Sequence, residues 1–175
     1  GGSGNRLWPN NKNHQAKQFI DFGNWTLFGK TLDRIKNPLF DFPIISTNLK
    51  YLKDIKRHLK KHLIKKYKIV LEPEKMNTGP AILSAALVND IPNEQPLIFF
   101  SADHLIEKER ILFKKINDYK KYLSNNNIFI FGIKPTSPSS EYGYFITKKN
   151  KNIDRVTKFM EKPSQSNARK IIKKK

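Results

Sequence analysis

Hydrophobic and polar positions follow two different periods along this chain, and the two periods take turns. From Leu27 to Ile35 the apolar residues recur at helical spacing. After Asn48, a residue suited to capping, the positions Leu49, Leu52, Ile55, Leu59 and Leu63 continue the same three-and-four rhythm. Short β-branched or unbroken apolar runs lie between such stretches: Pro43 to Thr47, Tyr67 to Leu71, Pro96 to Phe100 and Ile128 to Ile133. The run Pro96 to Phe100 is of the kind buried on both faces of a sheet. Thr78 with Pro80 opens a small-residue helix over Ala81 to Val88. Glu107 to Leu123 predicts a helix with Ile111, Leu112, Ile116, Tyr119 and Leu123 inward. Tyr142 to Thr147 and Val156 to Met160 alternate as strands do, and Ser164 caps a last basic helix. Strands taking turns with helices predict an α/β protein, an open sheet with helices on both faces. In such sheets ligands sit beyond the carboxyl ends of the strands, which directs attention to the segments that follow them.

Composition narrows the classes. The chain has 175 residues, with 34 Lys+Arg against 15 Asp+Glu, a formal net charge of +19. The absence of Cys excludes a disulfide scaffold, a thiolate nucleophile and a Cys-ligated metal. No apolar run reaches the roughly 18 residues that cross a bilayer, and no signal peptide is visible, so a soluble intracellular protein is expected. A pI near 10.0 invites a nucleic-acid reading. The charge is mostly Lys scattered among Asn and Ile. Its densest clusters, Lys56 to Lys68 and Lys170 to Lys175, read as solvated helix faces, the first with Ile55, Leu59 and Leu63 as its buried stripe. No nucleic-acid partner is expected.

Several residues could carry chemistry. Gly1, Gly2, Ser3 and Gly4 precede Asn5 and Arg6 in a loop of residues 1–18 rich in Gly, Pro and Asn. Glycines let backbone N–H groups approach a phosphate, and Arg6 and Lys17 supply cations. The same GGSG string is also what a cloning linker looks like. It is not a Walker A loop, since no Gly-Lys-Ser/Thr follows at the required spacing. Asp103, beyond the run Pro96 to Phe100, reads either as a ligand for Mg²⁺ or as the N-cap of the next helix. Its neighbour His104 reads as structural. Glu161 and Lys162 form either a site or a surface ion pair, and Gly143 either admits a ligand closely or marks a bulge. His58 and His62 have a metal-chelating i, i+4 spacing, yet without a third ligand they read as a solvated face.

Five segments, in order, resemble one family. GGSGNRLWPNNKNHQAKQF is similar to the signature loop of the sugar-phosphate nucleotidyltransferases, and RLWP followed by KQF resembles their mannose-1-phosphate guanylyltransferase branch. EPEKMNTGPAI, SADHLI, FGIKPTSPSSEYGYF and FMEKP agree with later motifs of that branch, so the resemblance runs from Gly1 to Pro163. It implies a Rossmann-like, open, mixed and mainly parallel sheet flanked by helices. It also implies the reaction of GTP with α-D-mannose 1-phosphate to give GDP-mannose and diphosphate, assisted by Mg²⁺. The nucleophile is already an anion, so such chemistry needs positioning and electrostatics rather than a general base. The resemblance further implies catalytic roles for Arg6, Lys17, Asp103 and Lys162, with Asp103 holding the metal. Nucleotide would bind Gly1, Gly2, Ser3, Gly4, Asn5, Arg6, Lys17, Glu72, Asn77, Thr78 and Gly79. Gly143, Glu161 and Lys162 would take the sugar phosphate, the acid on mannose hydroxyls and the lysine on phosphate. A cytoplasmic enzyme without nucleic-acid or membrane partners is implied, with room for a homo-oligomer.

Departures from the pattern are visible. Asn5 stands where threonine is usual, Ala16 where proline is, Met76 where arginine is, and Gly79 where alanine is. Family members begin with a strand ahead of the glycine loop and continue past Glu-Lys-Pro, so residues 1–175 are expected to be part of one longer nucleotidyltransferase domain. Many relatives also carry a C-terminal isomerase domain. Rival readings are a sibling enzyme such as a glucose-1-phosphate thymidylyltransferase, a nucleotide-sugar-binding module without turnover, and, more remotely, a basic nucleic-acid binder.

Overall fold

A computed structural model describes residues 16–74, 77–88, 91–92, 94–123, 127–151 and 153–173. The chain divides into two compact units, Gly1–Asn126 and Asn127–Lys175, and each is described by itself.

In the first unit a single turn of 3-10 helix, Lys17–Phe19, precedes helix α1, Leu27–Arg34. Thr26 caps the start of α1: its hydroxyl accepts from the Gly29 N–H at 2.9 Å. Strand β1 is Ile44–Asn48, and strand β2, Lys68–Glu72, pairs with it in parallel from Ile44↔Lys68 to Asn48↔Glu72. Between them Asn48 caps a 3-10 turn, Leu49–Tyr51, by accepting from the Lys50 N–H, and helix α2, Leu52–Lys61, follows. A parallel pair needs such a crossover. Ala16, Phe19, Phe28, Leu32, Ile55 and Leu59 form the core, with Ile45 and Ile69 of the strands and Ala102 packed against it. Phe19 meets Phe28 edge-on at 5.6 Å. Helix α3, Thr78–Ala86, lies against both strands, and α4, Glu109–Tyr119, runs into a 3-10 turn, Lys120–Tyr122.

The second unit holds β3, Tyr144–Lys148, and β4, Arg155–Met160, paired antiparallel with a register shift between Ile146 and Thr147. Tyr144 is buried, and its hydroxyl both accepts from the Ser139 N–H and donates to the Ser139 carbonyl. The Phe145 ring lies on Gly132, where no Cβ would fit. Helix α5, Gln165–Lys173, begins after Ser164, whose hydroxyl accepts from the Asn167 N–H as expected, and it buries Ala168.

The mixed α/β class holds, but four details differ from expectation. First, residues 96–100 and 128–133 form no ladder: among the described residues each sheet has two strands, one pair parallel and one antiparallel. No described strand pairs with these runs, and several of their apolar side chains stay accessible, Ile128 to 92% and Ile133 to 94%. Second, Leu63 leaves the buried stripe and is 78% exposed. Helix α2 ends at Lys61 in a Schellman closure, with the Leu63 N–H donating to the Lys60 carbonyl and the Ile64 N–H to that of Leu59. Leu63 takes the left-handed position, φ 56°, and Ile64 packs on the core in its place. Third, α3 starts earlier than predicted, with Asn77 at the cap position and Thr78 as the first helical residue. Fourth, Ile111 is exposed and Leu123 borderline, because Leu112, Phe113, Ile116 and Tyr119 form the half-buried face of α4.

Candidate active site

Lys17 and Asp103 come from opposite ends of the first unit and meet, Nζ to Oδ2, at 3.3 Å. Phe19, buried in the core, anchors the turn that carries Lys17, and Ala102, the residue before Asp103, packs on the same core. Each of the two charged side chains keeps 38% of its surface accessible, so the pair is half-open to solvent and to a ligand. Asp103 caps no helix: α4 begins six residues later, after Lys108. The capping alternative is thereby removed, and the carboxylate is left facing a cation.

A hard divalent cation suits this donor set. Mg²⁺ takes oxygen ligands, keeps several waters and binds through one or two carboxylates plus phosphate oxygens. Among the described residues no cluster of three His, Cys, Asp or Glu side chains forms a full protein cage. A single accessible carboxylate beside a cation therefore fits a metal held jointly by protein and phosphates, and does not fit a structural metal site.

Glu72 closes the carboxyl end of the parallel pair. Its carboxylate accepts from the Ser46 hydroxyl at 2.7 Å, and its backbone carbonyl accepts from the Asn48 side-chain amide at 3.3 Å. Ser46 and Asn48 thus hold an acid that sequence reasoning singles out without its partners; the register Asn48↔Glu72 is what brings them together. Asn77, at the start of α3, has φ 65° and ψ −163°, a region that side-chain-bearing residues occupy only under strain. Thr78 and Gly79 form the first turn behind it, and nothing within 4 Å would meet a Cβ on Gly79.

In the second unit Gly143, Glu161 and Lys162 come together. A Cβ on Gly143 would lie 2.6 Å from Phe159 Cζ and 3.0 Å from Glu161 Oε2. Lys162 Nζ is 3.9 Å from Glu161 Oε1, and both side chains are largely exposed. At that distance and exposure the pair contributes little stability. Lys162 also has positive φ, 40°. Gly1, Gly2, Ser3, Gly4, Asn5, Arg6 and Met76 lie outside the described residues.

The histidine pair is not a solvated face. His58 is buried against Phe19 and Phe28, with ring centroids at 5.3 and 5.6 Å, and bonds the Asp54 carbonyl through Nδ1. Burial pushes its pKa down, Arg57 and His62 push the same way, and the bond to Asp54 opposes them. His62 bonds Asp33 at 2.9 Å and links α2 to α1. Periodicity had no means of separating these two rings from the lysines around them. Arg34 was also missed. It is 1% exposed, and spacing from Leu27 and Thr31 puts it on the buried face of α1, which was the available signal.

A cavity of about 230 Å³ beside Ile35, Phe40, Phe42 and Leu63 holds none of the candidate residues. Among the described residues no helix is long and apolar enough to cross a membrane.

The sequence profile of the Nucleotidyl transferase family matches residues 1–174. The chain belongs to that family. It is 33% identical over 181 residues to a mannose-1-phosphate guanylyltransferase of Salmonella montevideo, covering 98% of this chain and 38% of that protein. Alginate biosynthesis protein AlgA of Pseudomonas fluorescens is 29% identical over 179 residues, covering 99% and 37%. A crystal structure of mannose-1-phosphate geranyltransferase from Thermus thermophilus superposes with a TM-score of 0.79 at 26% identity, over 99% of this chain and 51% of that one. The chain spans about two fifths of the length of these curated relatives.

Proposed function

We propose that the protein containing this chain transfers a guanylyl group from GTP to α-D-mannose 1-phosphate. A phosphate oxygen of the sugar forms a bond to the α-phosphorus, the bond from that phosphorus to the bridging oxygen breaks, and diphosphate leaves with the electron pair. The observation that carries this reading is the 3.3 Å approach of Lys17 to Asp103, which gathers one cation and one carboxylate at a half-open position. RLWP and the EPEKMNTGPAI segment favour the guanylyl and mannose variants of the family reaction.

Roles follow from charge and placement. Lys17 neutralises phosphate charge, and Arg6 with the loop Gly1, Gly2, Ser3, Gly4 and Asn5 cradles the triphosphate. Glu72, Asn77, Thr78 and Gly79 line the base and ribose. In the second unit Glu161 takes mannose hydroxyls, Lys162 takes the sugar phosphate, and Gly143 leaves room for the hexose. Asp103 would hold Mg²⁺, which would supply neutralisation of phosphate charge. The family's open, mainly parallel sheet, the assignment of this chain to part of one longer domain, and a cytoplasmic location belong to the same proposal.

A panel of nucleoside triphosphates against hexose 1-phosphates, with diphosphate release as readout on the full-length protein, tests it. GTP with mannose 1-phosphate is expected to turn over fastest. Preference for dTTP with glucose 1-phosphate would transfer the reading to a sibling enzyme. Tight GTP binding without diphosphate would transfer it to a binding module.

A further inference from the structure

We infer that Arg34 is a positioning residue for the Asp103 carboxylate, an inference that rests on the metal-holding role proposed for Asp103. The guanidinium is enclosed and makes contacts on both sides of the acid. On one side it lies over the Phe100 ring, Cζ 5.6 Å from the centroid. On the other its Nη2 donates to the His104 carbonyl at 3.3 Å, and its Nε donates to Glu109 Oε1 at 2.9 Å in the first turn of α4. Nη1 donates to the Thr31 hydroxyl, which fixes the fork to its own helix.

These contacts bear directly on the segment that carries Asp103. Phe100 is wedged between Arg34 and Phe40, Ala102 packs on the core, and His104 is tied through its carbonyl. One planar fork therefore fixes the residues three before and one after the acid, and joins them to α1 and α4. A lysine would keep the charge but offer no fork, so it would satisfy one of these partners and release the rest. Arg34 touches no reacting group; it acts through the backbone on either side of Asp103.

The test compares full-length wild type with Arg34→Lys, using hydrogen–deuterium exchange and titration with Mn²⁺ in the presence of GTP. Leu32→Ala, equally buried on α1, is the control for simple loosening of the helix. Arg34→Lys is expected to speed exchange across 101–106 at least tenfold relative to α2 and to weaken Mn²⁺·GTP binding about tenfold. Leu32→Ala should leave both within twofold. Unchanged exchange across 101–106, unchanged Mn²⁺·GTP affinity, or an equal loss in Leu32→Ala would each overturn the inference. If Arg34→Lys does not fold, Glu109→Gln, which removes the ion pair from a partly exposed position, must show the same pattern at about threefold or the inference fails. Asp103→Asn separates the two claims. If it binds Mn²⁺·GTP as wild type does, the metal role of Asp103 is wrong, and exchange alone then decides whether Arg34 orders the segment.

Discussion

Lys17 and Asp103 are separated by 86 residues of sequence, and their side chains meet at 3.3 Å. The contact joins the turn after the glycine-rich segment to the loop after an apolar run, two regions that family motifs had marked independently. Both partners are more than a third exposed, so solvent screens the attraction. Lys17→Met should therefore change unfolding free energy by less than about 1 kcal/mol, read from urea titration. Diphosphate release should fall by about 10²-fold, the usual scale for removing one charge-stabilising donor from a transition state. A large stability loss with normal turnover would make the pair structural.

His58 sets a pH dependence of stability. Burial holds the neutral ring in the folded state, so its pKa there lies below the ordinary 6.5. As pH falls, the unfolded chain takes up the proton first, and stability present above pH 6.5 is lost on moving below it. Asp33 behaves in a separate window. Burial raises its pKa, but hydrogen bonds from Lys36 and His62 outweigh that and leave it below 3.8, so its contribution disappears only in stronger acid. Thermal midpoints should fall between about pH 7.5 and 5.5 in wild type and stay flat over that range in His58→Asn.

Asn77 stores backbone strain where the nucleotide is proposed to bind. Glycine adopts that geometry without steric strain, at a smaller cost in unfolded-chain entropy. Asn77→Gly should stabilise the protein by about 1 kcal/mol in urea titration. It should also weaken GTP binding several-fold, because the side-chain amide is lost. Stabilisation with unchanged GTP affinity would leave Asn77 as a turn residue only.

Gly143→Ala tests the sugar-phosphate cluster. The new methyl would press on Phe159 Cζ and Glu161 Oε2, both on exposed side chains that can swing away. Folding should be nearly unaffected, while KM for mannose 1-phosphate should rise about tenfold with kcat less changed, as expected when ground-state binding is lost. An unchanged KM would remove Gly143 from the site.

Local chemistry is what the sequence made readable. Asn48 and Ser164 stand where their side chains can accept from the next turn, and both do. The strands around Ile45 and Ile69 and the helices on Leu32 and Leu59 follow from apolar spacing alone. Leu63 was misread because periodicity carries no information about where a helix stops, and the stop lies in a two-bond closure. Runs 96–100 and 128–133 were misread because an apolar run reports the wish to be buried and not the presence of a strand to pair with. At the site, motif resemblance marked Lys17 and Asp103 singly, but their contact is a tertiary fact. Ser46, Asn48 and Arg34 act by holding other residues, and nothing in their immediate sequence says whom they hold.

The most direct test of the account is ³¹P NMR of the full-length protein with Mg²⁺, GTP and mannose 1-phosphate, run beside Asp103→Asn. The account predicts GDP-mannose and free diphosphate accumulating together in wild type, with the rate down by at least about 10²-fold in the variant. Equal rates in the two proteins, or GTP left intact by wild type while mannose 1-phosphate is present, would contradict it.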